Sequence, residues 1–212
     1  MPHKASSFWK IIGVAGALAI VVAWPVISQA QLPGIPGIPL PGDPTQTLTG
    51  QASAVTAVVL GNVSTFADTG TLSSASDPLS ASIDTWSIPG ASAETLQAVT
   101  MGWTDQVVSE ASLGNLAMTV GGAGISADFI MSRAEAVSGA GGSGLSNIEG
   151  LTIGGVPISP TGLPNQAISL AGLSVILNEQ IQSANGIVVN ALRITTLDGL
   201  TNVVIGSARA GI

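Results

Sequence analysis

The stretch that decides the fold is LSVILNEQIQ (Leu173–Gln182), SANG (Ser183–Gly186) and IVVNALRIT (Ile187–Thr195). Two runs rich in Val, Ile and Leu flank an Asn-Gly pair. Asn185-Gly186 supplies the two positive φ values of a type I′ turn, so the stretch reads as a β-hairpin. Asp198-Gly199 marks the next reversal and leads into Asn202–Ala208, so three consecutive antiparallel strands are expected here.

The same pattern continues outward from the hairpin. Runs rich in Val, Ile, Thr and Ala cover Gln51–Leu60, Ser80–Ile88, Leu96–Thr100, Asp105–Ala111, Leu116–Val120, Ile125–Val137, Ile148–Ile153 and Ala167–Leu170, separated by Gly, Asn and Pro. Helical evidence is confined to Ser92–Val99, two turns with Ser92 as N-cap, closely bounded by Gly90 and Gly102. The run Gly139–Gly144 (GAGGSG) carries no basic residue and opens no helix, so it reads as a flexible connection and not a phosphate cradle. Roughly ten strands without a fixed repeat imply an all-β, mainly antiparallel β-sandwich, with a β-barrel or an irregular β-solenoid as the alternatives.

The first thirty residues read as a secretory signal peptide. Lys4 and Lys10 form a positive n-region, Ile11–Trp24 an apolar h-region, and Ser28-Gln29-Ala30 a small-residue cleavage site, so cleavage is expected between Ala30 and Gln31. An uncleaved anchor is the competing reading, because Ile11–Ile27 is at the short limit for a membrane span. Residues 31–44 include LPGIPGIPLPGDP, a Pro/Gly-rich linker that favours an extended chain. A single β domain is expected over residues 45–212.

Cleavage would remove both lysines and the only histidine (His3); the chain has no Cys or Tyr anywhere. Residues 31–212 then carry twelve carboxylates against Arg133, Arg193 and Arg209. Three scattered arginines cannot displace the counterions of a nucleic acid, and anionic membrane surfaces are disfavoured for the same reason. Serine hydrolysis lacks its activating base, and zinc lacks its usual ligands. These absences point away from an enzyme.

The second half carries an ordered set of motifs: ISADFI (Ile125–Ile130), GLTIGGVPI (Gly150–Ile158), PNQ (Pro164–Gln166), VILNEQ (Val175–Gln180), VNALRI (Val189–Ile194) and VVIGSA (Val203–Ala208). This order resembles the choice-of-anchor P family of bacterial exported proteins over about Thr45 to Ile212, more loosely in Gly50–Thr119. The resemblance implies an exported domain attached to varied surface anchors, without an assigned biochemical role. The chain closes on Gly211-Ile212 without a C-terminal apolar span, so release, or retention by the N-terminal segment or by partners, is expected.

Within these motifs Asn178, Glu179 and Gln180 form the densest polar group. They are candidate ligand contacts, with strand-end hydrogen bonding as the competing role. Calcium is the one cofactor considered, although no D-x-D-x-D loop exists; Asp77 with Asp84, or Asp105 with Glu110, are the carboxylates that folding could bring together. Trp86 and Trp103 are expected in the core more than on a sugar-binding platform. Arg133 and Glu135 share a strand face and read as a surface pair. The expected function is a secreted, non-enzymatic structural or interaction protein of the bacterial cell surface or extracellular matrix. Edge strands poor in charge favour self-association or docking with other surface proteins. A polysaccharide-binding module, calcium-assisted or not, is the alternative.

Overall fold

The computed structural model describes residues 47–75, 78–170 and 172–212, and its regular structure there is entirely β. The expected signal peptide, the Ala30-Gln31 cleavage site, the linker of residues 31–44 and Asp77 lie outside the described residues. The β unit spans Asp43–Ile212.

Two antiparallel sheets pack face to face as a β-sandwich. The first contains β1 (Thr49–Val59), β2 (Asn62–Asp68), β10 (Gln166–Leu170), β11 (Leu173–Ser183), β12 (Gly186–Thr196) and β13 (Thr201–Gly211), in the order β10-β11-β12-β13-β1-β2. The second contains β3 (Leu79–Ile88), β4 (Ala91–Gly102), β5 (Gln106–Val120), β6 (Ala123–Val137), β7 (Gly141–Glu149), β8 (Thr152–Ile153) and β9 (Val156–Pro157). Its order is β3-β4-β5-β6-β8-β9, with β7 paired to the other part of β6's free edge. The three expected C-terminal strands are β11, β12 and β13. At the reversal between the last two, Gly199 has φ 73° and the Asp198 carboxylate accepts the Thr196 hydroxyl at 2.6 Å and the Leu200 amide at 2.9 Å. These two bonds, Thr196 first, hold the Asp198 carboxyl below its usual pKa.

Several local expectations are corrected. Ser92–Val99 is not helical but lies inside β4. Gly139–Gly144 is not a flexible connection throughout, because Gly141 already begins β7. Asp105–Ala111 and Leu116–Val120 belong together, with Gln106–Val120 forming the single strand β5. Ile148–Ile153 is broken at Gly150, between β7 and β8. The Asn-Gly hairpin forms, but not through a type I′ turn centred on that pair. Ser183 pairs with Gly186, the loop is Ala184-Asn185, and neither Asn185 nor Gly186 has a positive φ.

One feature accounts for the first and third of these corrections and the break at Gly150. Every long strand shifts its inward-facing set by one residue at a common row. In β5 the inward residues run Val107, Ser109, Ala111, Leu113 and then Leu116, Met118, Val120. In β6 they run Ile125, Ala127 and then Ile130, Ser132, Ala134, Ala136; in β13, Val203, Ile205 and then Ala208, Ala210. Left-handed residues mark the row: Asn178 (φ 50°), Gly206 (62°) and Ala67 (48°) in the first sheet, and Thr95 (51°), Asn115 (49°) and Gly150 (64°) in the second. In the first sheet the pairing skips 178, 191, 206, 54 and 67 while keeping register on both sides, so these positions form one row across five strands. No extra residue is inserted there, unlike a β-bulge. A non-glycine residue in this region costs about 1–2 kcal/mol, least for Asn. Four of the six sites accordingly carry Asn or Gly.

The row divides the core into two unlike halves. One half holds the large side chains, among them Leu116, Ile125, Leu173, Leu177, Leu192 and Ile194, with Phe66 tilted against Trp86 at a ring separation of 5.0 Å. The other is built of Ala52, Ala98, Ala111, Ala134, Ala136, Ala208 and Ala210 around Val107, Ile187 and Val189. Small side chains on both inner faces let the sheets approach closely. A Cβ on Gly142 would lie 2.8 Å from the Gly186 carbonyl carbon. The buried Thr100 and Ser109 hydroxyls bond to each other here. Ser132, fully buried beside Gly206, has no partner for its hydroxyl among the described residues. Ser132→Ala removes an unpaired buried donor and should raise stability by about 1 kcal/mol in urea unfolding. A loss of stability would show that the hydroxyl is satisfied.

Candidate functional site

The kink row shapes the outer face of the first sheet. Where two consecutive residues turn inward, as Ala54-Val55 and Ala191-Leu192 do, the outward residues on either side border a transverse groove. Ser53 and Thr56 sit this way on β1, with their hydroxyls 3.3 Å apart. Beside the row, paired residues Asp68, Ser53, Ser207, Asn190 and Glu179 form a polar line from β2 to β11.

Glu179, Asn190 and Ser53 are buried although they point away from the core. Glu179 Oε2 accepts the Asn190 side-chain amide at 2.6 Å, and Oε1 accepts Arg193 Nη1 at 2.9 Å. Arg193 Nε also donates to Asn202 Oδ1 at 3.3 Å, and the Ser207 hydroxyl donates to Asn190 Oδ1 at 2.8 Å. The carboxylate is thus held by one charged and one neutral donor, both supplied by β12.

The neighbouring candidates Asn178 and Gln180 have different work. Asn178 Nδ2 donates to the Gly162 carbonyl at 3.0 Å, and the Gln180 backbone amide donates to Asn165 Oδ1 at 2.9 Å. Gln180 Nε2 donates to the Gly144 carbonyl at 2.9 Å and to Asn178 Oδ1 at 3.1 Å. These bonds tie the loop before β10, and β7 of the opposite sheet, to β11. The three residues therefore do not converge on one site: Glu179 joins the groove network, while Asn178 and Gln180 fasten neighbouring backbone.

The remaining sequence candidates are dispersed. Arg133 bridges Glu110 at 3.7 Å and Glu135 at 3.8 Å on the partly exposed face of the second sheet. Asp105 and Glu110 lie five positions apart along nearly extended chain, roughly 16 Å at 3.3 Å per residue, and do not converge. Trp86 is buried, as expected, whereas Trp103 is 46% exposed and lies outside the core. Among the described residues no group of three or more His, Cys, Asp or Glu is placed to hold a metal ion. No described helix is long and apolar enough to cross a membrane.

The sheet edges differ in how they are closed. β9 has two residues and contains Pro157, which cannot donate to a further strand. β10 has five residues. Along β7 the carbonyls of Gly142 and Gly144 accept the side-chain amides of Gln182 and Gln180. β2 is kinked at Ala67, near its end. β3 is the longest of these edges: ten residues, LSASIDTWSI, paired on one side only among the described residues, with Asp84 its single charge and no Pro, Gly or Lys, although its pairing with β4 skips Asp84. Sequence reasoning expected weakly protected edges but could not say which strand would end a sheet. Comparison of the chain with family models, curated proteins and solved structures finds no match.

Proposed function

We propose that the chain is an exported, non-enzymatic interaction domain of the bacterial cell surface or extracellular matrix, which pairs with a second copy of itself through the outer edge of β3. The observation that carries this reading is the ten-residue edge of β3, unpaired among the described residues, set against the shorter, proline-bearing or side-chain-bonded edges elsewhere. A long edge with a single charge offers a row of backbone donors and acceptors to another strand. The residue inventory supports the non-enzymatic part: residues 31–212 hold no Lys, His, Cys or Tyr. The signal-like N-terminus and the resemblance to choice-of-anchor P proteins support export.

Sedimentation velocity on the whole chain over a wide concentration range tests this. The wild type is expected to show reversible association, and Ser82→Lys with Thr85→Lys to weaken it at least about tenfold. Lysine side chains on an edge oppose strand addition without disturbing the exposed positions they replace. A wild type that remains monomeric throughout would overturn the reading.

A further inference from the structure

We propose that the transverse groove on the outer face of the first sheet is a binding site for a neutral saccharide. This goes beyond the edge pairing of β3, which lies in the other sheet. The groove has a volume of about 330 Å³ and runs over β2, β1, β13 and β12. That is at the small end of ligand sites and suits one or two sugar rings.

Its lining matches the chemistry of a vicinal diol, each hydroxyl of which donates one hydrogen bond and accepts up to two. Arg209, exposed on β13, offers a fork of N–H donors and has no acceptor among the described residues. Asp68 on β2 offers a carboxylate. It is held in place before any ligand arrives, because Oδ1 accepts Gln51 Nε2 at 3.1 Å and the Gly70 amide at 2.9 Å. The floor between them is hydroxylic. Ser207 gives its proton to Asn190, which leaves its oxygen free to accept from above. Ser53 and Thr56 share one hydrogen bond, which leaves the other hydroxyl proton to donate. Asn190 is in turn fixed by Glu179, so the Glu179–Arg193 network sets the floor without touching the ligand.

The charge of the chain selects the ligand class. A formal net charge of −7, with Asp68 in the groove itself, repels polyanions such as acidic polysaccharides. The cation–carboxylate pair and hydroxyl floor suit an uncharged polyol. Val188 is the apolar element of the lining. Without an aromatic platform, affinity should lie near the millimolar range.

The test is a heteronuclear NMR titration of the whole chain with maltotriose, cellotriose, mannotriose and chitotriose, each to a concentration on the order of 10 mM. At least one should produce saturable shifts confined to β1, β2, β12 and β13. Arg209→Ala and Asp68→Asn should each weaken that binding about tenfold or more, the loss expected for a charge-assisted hydrogen bond. Sedimentation of both variants should match the wild type, which separates this site from the β3 edge. No saturable shift with any of the four, or shifts that persist unchanged in Arg209→Ala, would overturn the proposal.

Discussion

Gly186→Ala is expected to destabilise the domain by about 3 kcal/mol, among the larger effects of a single added methyl group. A Cβ at this position would fall on the Ala210 carbonyl oxygen and lie 2.6 Å from the Gly211 Cα. Both obstacles are backbone of the paired strand β13, held by the Gly186–Gly211 register and by the Ile212 amide donating to the Asn185 carbonyl at 2.7 Å. Neither can rotate away as a side chain would. On the other side, Gly142 of the opposite sheet packs against the same peptide. The requirement is spatial, not conformational, because Gly186 does not occupy the left-handed region. Asn185→Ala should therefore cost less than about 1 kcal/mol, since Asn185 does not sit at a positive φ either. A type I′ turn at Asn185-Gly186 would abolish this difference, with both substitutions costing about 1 kcal/mol for placing alanine at φ > 0. Urea unfolding of the two variants separates the cases.

Arg193→Met is expected to cost about 2–3 kcal/mol, while the double variant Glu179→Met with Arg193→Met recovers most of the loss. The Glu179 side chain is 10% exposed and Arg193 34%, so removing the guanidinium leaves a nearly buried carboxylate with Asn190 as its remaining side-chain donor. The cost lies in that orphaned charge more than in the lost attraction. The partial exposure of Arg193 admits some water to the carboxylate and keeps the figure below the 3–5 kcal/mol typical of a fully buried pair. A double-mutant cycle reads the coupling directly. Coupling near zero would mean that Glu179 is solvated, and the floor of the groove would then not be fixed by this network.

The sheet-wide kink explains what was and was not legible in the sequence. In β11 and β12 the alternation is long and clean on one side of the row, so the hairpin is visible from residue types alone. In β4 the inward residues are Ala93, Leu96 and Ala98. The three-residue step across Thr95 mimics the spacing of a helix face, and a two-turn helix is the natural misreading. The same step from Leu113 to Leu116 makes β5 look like two strands. The run Gly141–Gly144 reads as a loop because three of its four residues are glycine. In the folded chain Gly142 and Gly144 lie against Ile187 and Val189, where a Cβ would collide. Propensity scales give glycine a low strand score, and close sheet packing overrides them here.

The candidate site was only partly visible for a related reason. Asn178-Glu179-Gln180 stood out by polar density, but the left-handed Asn178 turns its neighbours to different tasks. The groove residues Ser53 and Asp68 are far in sequence from Ser207 and Arg209, and the two pairs meet only through the strand order. No local signal could have joined them. The mid-strand Asn and Gly residues at 115, 150, 178 and 206 are the one trace that the kink leaves in the sequence.

Amide hydrogen exchange measured at low and high protein concentration tests the proposed role of the β3 edge most directly. Association through that edge should slow exchange in Leu79–Ile88 as concentration rises, while the amides of β2 and β10 exchange at unchanged rates. Protection that rises instead at β2 or β10, or exchange in β3 that is independent of concentration, would contradict it.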